Sequence, residues 1–279
     1  MLLAILQGFS ELFPISSLGH TVLIPALLRW NVDLSSPDFL SFVVVLHLGT
    51  AAALLAFYHR EWRGIVPAVL GSIIRGRFAG TVEEKVGWLL IAGTIPVGLL
   101  GLFFEREVRI LFGSPIPVAL FLMANGGIMF AGEALRRRQH SGARPYRTIE
   151  SLSFLDAAKV GLAESLALLP GISRSGSSIV AGLLIGLSEA EAARFSFLLA
   201  TPVILAAGLL EAPRLFAPDA HVALYESLLG GILAAVTAYL SVAFLTRYFR
   251  TNDLRPFGWY CVFAGAICTA LFAFGIVRS

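Results

Sequence analysis

Charge is what this sequence has least of. Only 14% of its 279 residues are Asp, Glu, Lys or Arg, against 57% hydrophobic residues, whereas soluble domains average about 25% charged. With a mean hydropathy of +0.82, the shortage excludes a soluble globular protein and marks an integral membrane protein. Length alone would suggest two soluble domains of about 150 residues each; hydropathy overrides it. Cysteine is scarce too. Cys261 and Cys268 share one apolar run, about two helical turns apart, too far for a disulfide; both read as small core or lipid-facing residues. Met1 to Leu6 lacks a basic segment and is too short for a secretory signal, so none is expected. The net charge of +3 is almost wholly arginine, placed in short loops between apolar runs. That pattern suits anionic lipid head groups and argues against nucleic acid as a partner.

What is present is apolar runs. A helical crossing needs roughly 20 residues, and six runs qualify: 38–58, 86–104, 115–135, 190–210, 221–247 and 257–277. Two further stretches are interrupted, 1–30 by Phe-Pro-Ile-Ser-Ser and 156–187 by Leu-Pro-Gly-Ile-Ser-Arg. Irregular backbone at mid-membrane is tolerated only inside protein or against a wet cavity, so each is read as a re-entrant pair of half-helices. Basic residues then fall on one side: Arg60, Arg63, Arg75, Arg77 and Lys85 in loop 59–85, Arg136, Arg137, Arg138, Arg144 and Arg147 in loop 136–155, and Arg247, Arg250 and Arg255 in loop 247–255. Loops 30–37, 105–114 and 211–220 supply only Arg106, Arg109 and Arg214. The rich side is expected to be cytoplasmic. The first hairpin then enters from the outer face and the second from the cytoplasm, each followed by three crossings.

The expected fold is therefore an all-α integral membrane protein with six transmembrane helices plus two re-entrant half-helix hairpins in a 3+3 inverted-topology repeat. One membrane domain spans 1–279: a first repeat over 1–135, a cytoplasmic basic loop over 136–155 and a second repeat over 156–279. Internal echoes agree. Gln7 precedes Pro14 by seven residues and Glu164 precedes Pro170 by six, and the run Phe42 to Leu55 echoes Phe195 to Leu209. Such repeats place their site at their interface near mid-membrane.

Ionisable side chains at that depth are costly and mark function. Gln7 and Glu11, four apart, share a helix face and offer an amide oxygen and a carboxylate to a hard cation, Mg²⁺ or Ca²⁺; the alternative is a hydrogen-bonded pair bracing the hairpin. Glu164 is a third polar group at that depth. Ser17 and His20, three apart after the Pro14 break, are within mutual reach and suit a nucleophile with a histidine base, or a histidine nucleophile. Ser16 reads first as a helix cap and, like Ser173, Ser175 and Ser178, is a candidate donor to a substrate phosphate. Ser173, Arg174, Ser175 and Ser178 open another half-helix, whose N-terminus favours phosphate, and Arg174 adds a planar fork for phosphate oxygens. Alternatively Arg174 neutralises Glu11 or Glu164. His47 lies within a span where it can line the cavity, but reads first as a satisfied core histidine, and Asn125 reads as helix packing, while His59, His140 and His221 fall at helix ends or loops.

At these residues the chain resembles the undecaprenyl-diphosphate phosphatase family, the bacitracin-resistance membrane proteins. One family motif appears as Gln7, Glu11, Pro14, Ser16, Ser17, Gly19 and His20, the other as Pro170, Gly171, Ser173, Arg174, Ser175 and Ser178. Gln7 is the less acidic of the two residues the family uses there, which weakens a two-carboxylate metal site, and Ser178 stands where threonine is usual. The resemblance implies hydrolysis of a polyprenyl diphosphate, C55 undecaprenyl diphosphate, to the monophosphate carrier and phosphate at the outer leaflet of the bacterial inner membrane. It implies that Gln7 and Glu11 organise a metal or the attacking group, that Ser17 and His20 act as nucleophile or acid/base, and that Arg174 holds the diphosphate. The competing reading is a lipid-phosphate transporter or flippase on the same inverted-repeat fold. Oligomeric state is left open, a homodimer included.

Overall fold

Helix is the only extended secondary structure among the described residues of the computed structural model, 1–30, 36–76, 78–104, 114–139, 145–211 and 224–277, apart from one isolated bridge between Arg147 and Leu187. In chain order the helices are α1 (Leu2–Ser10), α2 (Ser17–Leu28), α3 (Pro37–Phe57), α4 (His59–Arg75), α5 (Val82–Phe103) and α6 (Pro115–Gln139). Then come α7 (Phe154–Glu164), α8 (Arg174–Leu184), α9 (Glu189–Glu211), α10 (Leu224–Tyr248) and α11 (Arg255–Ala273). Each of the six apolar runs becomes one helix: α3, α5, α6, α9, α10 and α11. Of these, α5, α6, α9, α10 and α11 are each long and apolar enough to cross a membrane, and α3 with α4 gives a sixth candidate, bent by 92°. These are the helices of a multi-pass membrane protein.

The segment read as loop 59–85 needs correction, because most of it is α4. Its Arg60, Glu61 and Arg63 look like a polar connection, but Ile65 and Ser72 are buried on one side while Val66, Leu70, Ile73 and Ile74 are exposed on the other. An amphipathic helix of this kind is missed by any search for continuous apolar runs. Gly76 ends it in the left-handed conformation, and a capping box between Thr81 and Glu84 starts α5.

The basic segments converge at one end of the bundle. There Arg137 meets Asp253 (3.2 Å), Arg136 meets Glu189 (2.8 Å), Arg147 meets Asp156 (2.9 Å) and Lys85 donates to the Glu150 carbonyl (2.6 Å). The connections read as poor in basic residues, with Arg106, Arg109 and Arg214, lie almost wholly outside the described residues; so do Arg77, Arg144, His140 and His221.

Both interrupted stretches are broken where proline and serine predicted it. α1 and α2 are separated by residues 11–16. α7 and α8 are separated by a 3-10 turn, Ser165–Leu168, and residues 169–173. α7 starts beside Arg147 at the charged end. α2 stops at Arg29, whose guanidinium reaches the Ile276 carbonyl beyond the far end of α11 (3.4 Å). Small residues let each stretch sit backbone-close to a long helix, as membrane interfaces require. A Cβ on Gly8 of α1 would come within 2.3 Å of the Ala234 carbonyl in α10, and one on Gly161 of α7 within 1.8 Å of the Gly93 carbonyl in α5.

Candidate active site

The two breaks end on the same local device. Ser16 caps α2 by accepting from the Gly19 N–H (3.2 Å), and Ser173 caps α8 by accepting from the Gly176 N–H (3.1 Å). Each satisfies one orphan donor of a helix's first turn. Ser17 and Arg174 are thereby fixed at the first helical position of their respective helices. Ser16 has φ +68°, a conformation that costs a non-glycine residue about 1–3 kcal/mol and persists only where its surroundings impose it.

The surroundings that impose it belong to the other break. Ser16 Oγ also accepts from the Gly171 N–H (3.2 Å). Gly171 itself sits at φ +112°, where a Cβ would come within 2.3 Å of the Val118 carbonyl, so only glycine serves. Ser175 donates to the Phe13 carbonyl (3.1 Å), and Ser173 reaches the same oxygen (3.4 Å). Asn125 of α6 joins the two breaks: its amide nitrogen donates to the Pro14 carbonyl (3.0 Å) and its oxygen accepts from the Ser173 N–H (3.0 Å). Reading Asn125 as simple helix packing therefore understates it.

An ionic cluster lies beside this junction. Glu11 Oε2 accepts from Ser17 Oγ (2.5 Å) and from the Gln7 amide (2.9 Å), while Glu11 Oε1 faces Arg174 Nε (3.4 Å). Arg174 Nη1 lies 3.6 Å from Glu164 Oε1. Glu11, Ser17, Glu164, Ser173 and Arg174 line a cavity of about 160 Å³ together with Ser16, His47 and apolar side chains. Both carboxylate oxygens of Glu164, which is 0% exposed, and both terminal nitrogens of Arg174 are buried without a hydrogen-bond partner. Leaving such groups unmade costs about 1–3 kcal/mol each, more when charged. Orphaned polar atoms on a cavity wall call for a ligand, and the free edge of a guanidinium matches phosphate oxygens.

The side chains singled out from sequence are distributed unequally. Ser17 does not pair with His20, because its hydroxyl is taken by Glu11. His20 instead uses Nδ1 on the Ser16 carbonyl (2.7 Å) and Nε2 on the Tyr260 hydroxyl (2.6 Å), and stacks on that ring. A carbonyl only accepts, so Nδ1 carries the proton and Nε2 accepts from Tyr260. Ser178 turns away from the cavity to the Arg174 carbonyl (2.8 Å) and Ser196 (2.7 Å), tying α8 to α9. Ser175 is spent on Phe13. His47, ranked first as a satisfied core histidine and second as a cavity residue, is both: it lines the cavity, with Nε2 at 3.1 Å from the Gln7 amide nitrogen and Nδ1 on the Val43 carbonyl (2.8 Å). Its position inside an apolar run was the available signal.

No group of three or more His, Cys, Asp or Glu side chains is gathered for a metal among the described residues. The donors at hand are the Glu11 carboxylate, the Gln7 amide oxygen and Ser17 Oγ, all hard oxygen ligands. Gln7, however, turns its amide nitrogen and not its oxygen to Glu11 (2.9 Å), the hydrogen-bonded pair of the alternative reading, so these donors suit Mg²⁺ or Ca²⁺ only with that amide turned over and with waters and substrate oxygens completing the shell.

The model of the family described as Bacitracin resistance protein BacA matches residues 1–267. Undecaprenyl-diphosphatase 2 of Chromobacterium violaceum is 48% identical over 271 residues, covering 96% of this chain and 95% of that protein. Undecaprenyl-diphosphatase of Mycolicibacterium paratuberculosis is 48% identical over 281 residues (93% and 92%), and that of Acidiphilium cryptum 47% over 282 (99% and 98%). By the extent of the family match and the identity to these relatives, the chain belongs to the bacitracin resistance protein BacA family.

Proposed function

We propose that this chain hydrolyses undecaprenyl diphosphate to undecaprenyl phosphate and phosphate, and thereby confers bacitracin resistance. The observation that carries the reading is the terminal edge of Arg174, which makes no hydrogen bond and only a 3.6 Å ion pair with Glu164, in a cavity it shares with a Ser17–Glu11 hydrogen bond. Arg174 takes the terminal phosphate. Ser17 Oγ attacks its phosphorus while Glu11 accepts the hydroxyl proton; the phosphoanhydride bond breaks and the lipid monophosphate leaves. Glu11 passes that proton to the departing lipid monophosphate; water then attacks the phosphoserine, its proton passing to Glu11 and on to Ser17 Oγ, and phosphate departs. The N-terminus of α2 supplies dipole stabilisation for charge developing at Ser17. His20 fixes the strained Ser16 carbonyl and, on this reading, is a positioning residue or proton relay through Tyr260. Gln7, Glu11 and Ser17 would hold a divalent cation, which would supply further charge neutralisation.

The architecture read from the sequence is proposed with it: one membrane domain, two re-entrant hairpins (α1–α2 and α7–α8) and a 3+3 inverted repeat in the bacterial inner membrane, with the cavity opening to the outer face. The packing supports it. Exchanging α1 with α7, α3 with α9, α5 with α10 and α6 with α11 turns the α1–α10 contact into α7–α5 and the α3–α10 contact into α9–α5. The convergence of arginines at one end supports a cytoplasmic assignment for that end.

That same pseudo-symmetry favours a second reading, a lipid-phosphate transporter, but transport alone requires no serine hydrogen-bonded to a buried carboxylate. Purified protein in detergent, given undecaprenyl diphosphate and Mg²⁺ or Ca²⁺, is expected to release phosphate. Lipid movement across vesicles without phosphate release would favour the transporter.

A further inference from the structure

The cavity has two kinds of wall, and only one suits a head group. Its inner part carries Glu11, Ser17, Glu164, Ser173 and Arg174, while its remaining lining is almost entirely apolar. Leu18 of α2, Ala167 and Leu168 of the turn before α8, and Val203 and Ala207 of α9 line the partly or fully exposed side, whereas the charged residues except Arg174 are buried. An alkyl rim on one side of a charged pocket suits hydrocarbon rather than bulk water. Size sharpens the point: about 160 Å³ is well below the roughly 300–1,000 Å³ of pockets that enclose a drug-sized ligand. A diphosphate fits; a long chain must leave.

We propose that the gap between Leu18, Leu168, Val203 and Ala207 is the exit for the isoprenoid chain of the substrate, and that its first units rest on these side chains. The inference rests on the diphosphatase reading above. A larger apolar groove of about 660 Å³ lies between α1, α2 and α10, lined by Phe9, Phe13, Leu240 and Phe244 among others, but it shares no lining residue with the charged cavity. The groove is on the opposite side of α1 from Gln7 and Glu11, behind the stacked rings of Phe9 and Phe13, whose centres are 4.1 Å apart. A chain lying there would have to turn around α1 to reach Arg174.

The test compares the lipid with a probe that is head group alone. In detergent, Ala207→Trp is expected to raise KM for undecaprenyl diphosphate at least ten-fold while the inhibition constant of inorganic diphosphate moves less than two-fold. Leu240→Trp, which fills the groove instead, is expected to leave both unchanged. Val203→Ala, a milder change that keeps the fold, is expected to raise the lipid KM two- to five-fold with the diphosphate constant fixed. Equal shifts for lipid and diphosphate, no shift in either α9 variant, or a rise in KM confined to Leu240→Trp would each overturn the proposal. A wild-type protein that releases no phosphate would instead defeat the underlying diphosphatase reading.

Discussion

Residues 7–20 and 164–176 fold alike and carry different chemistry. Each is a helix that stops, an irregular turn with a proline, and a serine that caps a new helix through an N–H three residues on. Gln7 and Glu164 stand before the two prolines, and Ser17 and Arg174 occupy the same first helical position after them. The backbone device is shared; what differs is the side chain it presents. The first break presents a hydroxyl bonded to a carboxylate, and the second a guanidinium with an unfilled edge. Neither is a site alone. Ser16 needs the Gly171 N–H, Ser173 needs Asn125, and the Phe13 carbonyl needs Ser175. On the proposed reading, the two breaks divide one reaction between them, with attack on one and phosphate grip on the other.

The sharpest way to separate the halves is to remove each chemical group in turn. Glu11→Gln keeps the shape but not the base, and should lower phosphate release by roughly a hundred- to ten-thousand-fold, the range for losing a positioned acid or base. Steady-state turnover with undecaprenyl diphosphate checks it, and near-normal turnover would leave Ser17 without its proton acceptor. Arg174→Ala should cost roughly a hundred- to a thousand-fold, as losing one preorganised charge-stabilising donor does, with the change visible in KM as well as kcat.

The shared scaffold predicts a different kind of damage. Asn125→Ala orphans the Ser173 N–H, a loss of about 1–3 kcal/mol, and leaves the Pro14 carbonyl with only the weak Cys261 thiol donor (3.8 Å). The expected result is a lower unfolding temperature in detergent and activity lost in proportion; an unaltered unfolding temperature would mean that the breaks do not depend on one another. Smaller still, Ser173→Ala removes a cap worth about 1 kcal/mol and should leave most turnover intact, unlike Ser17→Ala at the neighbouring position of the other break. Gln7→Glu should lower the divalent cation concentration needed for half-maximal activity several-fold, since a second carboxylate strengthens a hard-cation site.

Local chemistry explains what could be read from the sequence. Six apolar runs and two proline–serine interruptions gave the helices and breaks, because hydrophobic length and turn residues act where they stand. Ser16 was legible as a cap for the same reason, whereas Ser173, read as a phosphate donor, proves to be a cap as well. α4 was not, since an amphipathic helix with arginines at its start looks like a connection until one face has something to pack on. Asn125 could not be assigned its role, because its partners Pro14 and Ser173 are distant in sequence and meet it only in the folded chain. His47 is similar: its partner Gln7 lies forty residues earlier, on another helix. The Ser17–His20 pairing failed because adjacency on a helix permits a contact without choosing it over Glu11 on one side and Tyr260 on the other.

Binding without turnover tests the division of labour most directly. A non-hydrolysable methylene-diphosphonate analogue of the lipid, titrated into detergent-solubilised Ser17→Ala and Arg174→Ala, reports grip alone. Ser17→Ala is predicted to bind within about three-fold of the unaltered protein while releasing no phosphate from the natural diphosphate, and Arg174→Ala to lose binding by tenfold or more. Loss of binding in Ser17→Ala with retention in Arg174→Ala would contradict the account.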